Sequence, residues 1–149
     1  MTNESLANMT TRKDAAGFTM MEMLVVLVII GLIAAVAIPQ VMRLLESAKH
    51  KSAKIQLETL SHSLNFYQID MDEYPATQPG LNALWLPVTQ NPAWSGPYVR
   101  ELRQIRDPWG HDFVYRSPGT GRRAFDLICL GADGREGGTG DDADITALP

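Results

Sequence analysis

The sequence predicts an α+β protein in which one long N-terminal helix precedes a small domain with a short antiparallel sheet. Residues 18–38 are almost wholly apolar, and residues 53–67 repeat apolar side chains at helical spacing. Two runs of strand-forming residues follow at 113–116 and 124–130. The segment 117–123 contains Pro and Gly and is expected to join these runs as a hairpin.

The overall composition excludes several classes of function. The chain has 149 residues and a formal net charge of −4. After the apolar segment, about 100 residues remain, which suffices for one small core. Nucleic-acid binding requires clustered Lys and Arg side chains, and the sequence has no basic stripe. No nucleic acid is therefore expected as a partner.

The only cysteine, Cys129, cannot form an intrachain disulfide. It lies in a strand-like apolar run, where a free cysteine usually serves as a small buried hydrophobe. The three histidines, His50, His62 and His111, form no recognisable catalytic set with it. No enzyme is expected.

Residues Phe18–Ile38 could span a membrane, because about 21 residues in a helix extend about 31 Å. A secretory signal peptide is an alternative, since residues 34–37 offer small side chains for cleavage. Glu22 fits neither a plain anchor nor a plain signal. A carboxylate inside a bilayer helix costs roughly 2.5–3.5 kcal/mol on insertion scales, so it needs a partner or must reach the headgroup region.

The helix is expected to continue as an amphipathic segment to about Ile69, before Tyr74 and Pro75. Its apolar side chains recur at spacings of four and three residues: Ala53, Leu57, Leu60, Leu64 and Tyr67. The opposite positions carry Lys54, Glu58 and Asn65. Pro39 is expected to interrupt the pattern by kinking this long helix, since proline removes a hydrogen bond.

Residues 133–144 form an acidic, glycine-rich segment. Its carboxylates are Asp133, Glu136, Asp141, Asp142 and Asp144, against the single base Arg135. Crowded carboxylates repel each other, so the segment is either solvated or folded around a cation. Ca²⁺ suits such a segment because it takes six to eight oxygen ligands in flexible geometry. The spacing is not that of an EF-hand, and composition alone favours a solvated segment.

The junction Gly17-Phe18-Thr19-Met20-Met21-Glu22 and the apolar run after it resemble the class III signal of type IV pilins and type II secretion pseudopilins. The resemblance implies that a membrane-embedded prepilin peptidase cuts after Gly17 and methylates Phe18. It also implies that Glu22 neutralises the Phe18 amine of a neighbouring subunit during assembly. The implied divisions are a cleaved leader at 1–17, a transmembrane polymerisation helix at 18–38, its amphipathic continuation at 39–70 and a periplasmic region at 71–149.

Further segments at 72–81, 107–110, 115–119 and 130–134 resemble the major pseudopilin of type II secretion systems in order and spacing. The resemblance implies a type IV pilin-like α+β fold, in which the helix packs on a small domain with a calcium loop at 130–145. It implies a Ca²⁺ cofactor held by the side chains of Asp133, Asp141, Asp142 and Asp144 and by the carbonyls of Leu130 and Arg135. Asp144 has the weakest claim among these ligands.

The function implied by the resemblance is that of a structural subunit of the periplasmic pseudopilus, which drives export of folded proteins across the outer membrane. The implied partners are further copies of the chain, minor pseudopilins, the inner-membrane assembly platform and prepilin peptidase. The chain would cross the inner membrane once, with its C-terminal domain in the periplasm. One alternative is a type IV pilin or a competence pseudopilin, acting in adhesion or DNA uptake. Another is a signal-anchored periplasmic binding protein.

The distribution of basic residues conflicts with this topology. Arg12 and Lys13 precede the apolar segment, whereas Arg43, Lys49, Lys51 and Lys54 follow it. Basic residues near a span usually lie on the cytoplasmic side, so the count alone would place the C-terminal domain inside. The resemblance implies the opposite orientation.

Overall fold

The computed structural model describes residues 17–88 and 90–147. The chain divides into two compact units, Met1–Gln40 and Val41–Pro149. Helix α1, Met20–Met71, begins in the first unit and ends in the second. Of the predicted leader, only Gly17 lies within the described residues.

Helix α1 is one long helix, as predicted. The helix runs from Met20 to Met71 with Pro39 inside it. A proline removes one backbone hydrogen bond, whereas the turns on either side each add one bond per residue. The boundary between the two compact units nevertheless falls just after Gln40. The predicted end near Ile69 is confirmed to within two residues.

The second unit contains one small antiparallel sheet in the order β1-β2-β3. Strand β1, Val114–Arg116, pairs with β2, Asp126–Cys129, and β2 pairs with β3, Ile145–Thr146. The predicted hairpin of β1 and β2 is confirmed. Strand β3 was not predicted, because two residues carry no readable periodicity. Short 3₁₀ turns lie at Gly80–Leu84, Leu102–Ile105 and Gly140–Asp142.

The core of the second unit lies between one face of α1 and the sheet with its connecting loops. The buried apolar residues are Ala53, Leu57, Leu60, Leu64, Tyr67, Leu81, Ala83, Leu84, Val99, Phe113, Tyr115, Phe125, Leu127 and Cys129. The predicted α1 face is therefore confirmed in full. Lys54, Glu58 and Asn65 are exposed, as predicted. Trp85 and Trp94 pack against the edge of the core.

Hydrogen bonds tie the loops after α1 to this core. The Ser63 hydroxyl donates to the carbonyl of Tyr98 at 2.9 Å, and the Tyr98 hydroxyl donates to Asp70 at 2.8 Å. The buried Tyr115 hydroxyl donates to the carbonyl of Pro75 at 2.7 Å. Burial raises the pKa of Tyr115 to about 12, so this donor keeps its proton across the physiological range.

Replacing Leu64 by Ala should destabilise the folded chain by about 2–5 kcal/mol, because the side chain is fully buried and its loss leaves a cavity. Phe66→Ala, on the same helix but with Phe66 62 % exposed, is the matched control and should change stability by less than about 0.5 kcal/mol. Chemical denaturation of the solubilised chain measures both values. Equal destabilisation by the two variants would contradict the assigned core face.

Candidate functional site

The Gly17–Phe18 junction lies outside the helix. Residues 17–19 precede α1, and the Phe18 side chain is 78 % exposed. A protease acts on extended backbone, so a peptide bond in this position can be cut without unwinding α1. The predicted processing residues are therefore placed next to each other in accessible backbone.

Glu22 has a local role at the start of α1. Its backbone N–H donates to the Thr19 hydroxyl at 3.1 Å, which makes Thr19 the N-cap of the helix. A carboxylate in the first turn also interacts favourably with the positive end of the helix dipole. Sequence reasoning missed this role, although Thr-x-x-Glu is a capping signature. Among residues 17–88 and 90–147, no basic side chain forms an ion pair with Glu22.

The first half of α1 exposes its apolar side chains on all sides. None of the most apolar part of helix α1 is buried. It is long and apolar enough to cross a membrane. An apolar surface of this size requires lipid or protein to cover it.

The acidic loop connects β2 to β3 and is closed by backbone contacts. The Ala132 N–H donates to the Asp141 carbonyl at 3.0 Å. Gly138 has φ +84°, and a Cβ atom at this position would clash with the Asp142 carbonyl oxygen. Only glycine permits both this backbone conformation and this close approach.

Two of the predicted calcium ligands bind backbone amides of their own loop. Asp133 accepts from the Arg135 N–H at 3.0 Å, and Asp144 accepts from the Gly137 N–H at 2.9 Å. Asp141 and Asp142 are exposed in the Gly140–Asp142 turn. Each of these four carboxylates has at least one oxygen that accepts no hydrogen bond from the loop backbone.

The chemistry of the loop fits a hard cation, but its side chains do not form a preassembled cage. In the parts of the chain that the structure describes, no three His, Cys, Asp or Glu side chains converge as a metal-binding group. A cation here would have to draw the carboxylates together and combine them with backbone carbonyls such as those of Leu130 and Arg135. Ca²⁺ accepts this mixture, whereas a transition metal would prefer nitrogen or sulfur ligands.

Side chains of α1 hold the acidic loop and the adjacent turn. His50 Nε2 donates to the Asp141 carbonyl at 3.0 Å, and its ring meets Trp109 edge-on at 5.0 Å between centroids. Trp109 Nε1 in turn donates to Glu46 at 2.9 Å. This hydrogen bond, with a second one from Lys49, lowers the pKa of the Glu46 carboxyl. The partners are 91 and 63 residues apart in sequence, so no local pattern predicted them.

The Asp107–Gly110 segment is a tight turn with a packed indole, as predicted. Asp107 is buried and accepts from the backbone N–H groups of Trp109 at 3.0 Å and His111 at 2.8 Å. The Cys129 thiol lies 3.5 Å from its other oxygen. Burial raises the pKa of Cys129 to about 11, so the thiol stays neutral and unreactive.

Cys129 should therefore resist alkylation at pH 8 in the folded chain and react fully after denaturation. The thiolate is the reactive form, and both burial and the raised pKa suppress it. Mass spectrometry after maleimide treatment measures the labelled fraction. Rapid labelling of the native chain would contradict the placement of Cys129 in the core.

Comparison with known proteins identifies the family. The model of the prokaryotic N-terminal methylation motif matches residues 12–38, and the model of type II secretion system protein G matches residues 40–148. A type II secretion system core protein G from Pseudomonas aeruginosa is 44 % identical over 138 residues, which cover 90 % of this chain and 95 % of the relative. The core protein G from Vibrio cholerae is 38 % identical over 140 residues, covering 92 % and 94 %.

A solved structure agrees with these matches. The crystal structure of the major pseudopilin from the type 2 secretion system of enterohaemorrhagic Escherichia coli aligns with a TM-score of 0.54 at 32 % identity, covering 70 % of this chain and 90 % of that one. The predicted type IV pilin-like α+β fold is confirmed by this match. Together these findings show that the chain belongs to the protein G family of type II secretion systems.

Proposed function

We propose that this chain is the structural subunit that polymerises into the periplasmic pseudopilus of a type II secretion system. Growth of the polymer would drive export of folded proteins across the outer membrane, so the role is mechanical and not enzymatic. The observation that carries the proposal is the fully exposed apolar half of α1, which follows directly on the Gly17–Phe18 junction. Family membership supports this role over that of an adhesive pilin or a competence pseudopilin.

The proposed pathway begins at the inner membrane. Residues 18–38 span the bilayer, and the domain after them lies in the periplasm. Prepilin peptidase removes residues 1–17 and methylates the new N-terminus at Phe18, which keeps the apolar helix on the mature chain. The methylation-motif match at residues 12–38 supports this processing site. Copies of the chain then join on the inner-membrane assembly platform, together with minor pseudopilins.

Glu22 is proposed to specify the register of assembly. Cleavage creates an amine at Phe18, and that cation must leave water when the helices pack together. A buried charge is tolerated when an opposite charge pairs with it, and Glu22 supplies the carboxylate. The Thr19 cap supports this role, because it engages only the backbone of Glu22.

Glu22→Gln should abolish assembly while leaving the start of α1 intact. The substitution removes the charge and preserves the backbone N–H that bonds to Thr19. Leaving a buried charge unpaired costs about 3–5 kcal/mol, so the assembled fraction should fall by more than about 100-fold. Filament yield after mechanical shearing measures the effect, and mass spectrometry confirms that cleavage and methylation at Phe18 still occur.

Thr19→Val provides the matched control for Glu22→Gln. It removes the helix cap, worth about 1 kcal/mol, and retains the charge. Assembly should therefore fall far less than with Glu22→Gln. Wild-type assembly of Glu22→Gln would contradict the pairing role, and a mature chain beginning at a residue other than Phe18 would contradict the proposed processing.

We further propose that Ca²⁺ binds the loop at residues 130–145. Asp133, Asp141 and Asp142 would contribute carboxylates, Leu130 and Arg135 carbonyls, and Asp144 would assist. The Ala132–Asp141 bond and the close approach at Gly138 bring the two ends of the loop together, which supports a shared ion. His50 anchors the same loop to α1 through the Asp141 carbonyl. Bound Ca²⁺ would thus connect the sheet to the helix in a domain that lacks a disulfide.

Removal of Ca²⁺ should lower the melting temperature of the detergent-solubilised mature chain. At free Ca²⁺ about 100-fold above Kd, binding stabilises the folded state by about 2.7 kcal/mol. The double variant Asp133→Asn/Asp141→Asn should lose this response. Glu136→Gln is the matched control, because Glu136 is paired with Arg116 at 2.7 Å and is not a proposed ligand. A melting temperature that is the same with Ca²⁺ and with chelator would contradict the calcium site.

A further inference from the structure

The backbone carbonyl of Asp141 connects three segments of the domain. It accepts one hydrogen bond from the Ala132 N–H at 3.0 Å and another from His50 Nε2 at 3.0 Å. Ala132 lies near the start of the acidic loop, Asp141 lies near its end, and His50 belongs to α1. One oxygen atom therefore joins the two ends of the loop to each other and to the helix.

These two hydrogen bonds restrict how Asp141 can bind a cation. A carbonyl oxygen has two lone pairs, and here a donor approaches each of them. The carboxylate of Asp141 is the group that remains for a metal, and it is 64 % exposed. Because the backbone of Asp141 is fixed at both sides, this carboxylate is attached to an ordered part of the loop.

His50 is itself held in place by its neighbours. Its side chain is only 23 % exposed, and its ring meets Trp109 edge-on with 5.0 Å between the ring centroids. Trp109 Nε1 donates to Glu46 at 2.9 Å. Glu46 and His50 are four residues apart, so they are neighbours on one face of α1 and the indole contacts both. The imidazole is therefore oriented before any ion binds.

A second contact supports the loop at Gly134. A Cβ atom at this position would lie 3.1 Å from three atoms of the His111 ring, so the backbone of Gly134 lies directly against the face of that ring. The His111 N–H donates to the buried Asp107 carboxylate at 2.8 Å, which fixes the turn that carries the ring. Gly134 stands between Asp133 and Arg135, which are two of the proposed calcium ligands.

Support of this kind affects metal binding without any contact with the metal. Ordering a glycine-rich loop costs conformational entropy, and a loop that is ordered beforehand lowers that cost at the moment of binding. When only a fraction of the molecules has the competent loop conformation, the apparent Kd rises by the inverse of that fraction. A side chain that holds the loop therefore lowers the Kd for its ion.

We propose that His50 is a positioning residue for Ca²⁺, which orders the acidic loop through the Asp141 carbonyl and so sets the calcium affinity from α1. This role rests on the proposed calcium site and goes beyond it, because the determinant of affinity is not a ligand and lies on the long helix. The coupling is reciprocal, since bound Ca²⁺ must strengthen the same contact that favours its binding. Ca²⁺ thus tightens the attachment of the loop to α1.

His50→Ala should weaken Ca²⁺ binding to the detergent-solubilised mature chain by about three- to tenfold, because the closed loop loses one hydrogen bond. His50→Gln should keep the Kd within about twofold, because its amide N–H can donate from a similar position. His62→Ala is the matched control, since His62 is exposed on the same helix about 18 Å farther along the axis. Isothermal titration with calcium chloride measures the Kd of each variant.

The Kd separates positioning of the loop from general stability. A purely structural role of His50 would lower the melting temperature in chelator and leave the Kd unchanged, and that result would overturn the proposal. Equal losses of affinity in His50→Ala and His50→Gln, or in His50→Ala and His62→Ala, would also overturn it. Absence of Ca²⁺ binding by the unaltered chain would instead overturn the proposed calcium site on which this role rests.

Reciprocal coupling gives a second measurement on the same variants. Ca²⁺ should slow amide hydrogen exchange in the loop at 130–145 and also in α1 around residues 46–54, as followed by mass spectrometry. In His50→Ala the loop should still respond at saturating Ca²⁺, whereas the response of α1 should be lost. An α1 response of the same size in His50→Ala and in the unaltered chain would overturn the coupling through His50.

Discussion

An apolar helix surface that its own chain leaves uncovered is the constraint on which the rest of this structure depends. A domain of about 100 residues can cover one face of one helix. In this chain it covers the row from Ala53 to Tyr67 and leaves the first half of α1 fully exposed. Such a surface is unfavourable in water and is stable only in lipid or against protein. A subunit that moves from a membrane into a polymer meets both conditions in turn.

The acidic loop likewise gains little stability from apolar burial. Its backbone relies on glycines with positive φ, and its carboxylates repel one another, so its free energy of folding draws little on apolar burial. Contacts from α1 compensate in part, because His50 and Glu46 reach the Asp141 carbonyl and the Trp109 indole. Helix α1 thus organises the domain through these two side chains as well as through its buried apolar face.

Much of this architecture could be predicted from the sequence, because it depends on local periodicity. The apolar segment, the buried α1 face, the β1–β2 hairpin, the Asp107 turn and the burial of Cys129 all follow from residue type and spacing over short windows. The predicted processing residues Gly17 and Phe18 and the predicted assembly residue Glu22 form a compact motif, so these predictions rest on resemblance alone. The continuity of α1 through Pro39 was also expected, because apolar and amphipathic helical spacing continues on both sides of the proline.

The features that could not be predicted depend on distant contacts. Strand β3 forms only because β2 offers it a free edge, and the anchoring of the loop to α1 joins residues 91 positions apart. The capping signature of Thr19 is present in the sequence, but Glu22 was interpreted only as an assembly residue. The predicted calcium ligands lie in one loop, yet only the structure shows that no three acidic side chains converge among the described residues.

The most direct test of the account is the solvent accessibility of α1 before and after assembly. The variant Val28→Cys can be labelled with maleimide in a Cys129→Ala background, because the native Cys129 would also react once the chain is denatured. We predict that position 28 reacts in the denatured chain and is protected in sheared filaments, while Leu86→Cys in the same background reacts in both. Full labelling of Val28 in intact filaments would contradict the claim that copies of this chain cover the apolar helix.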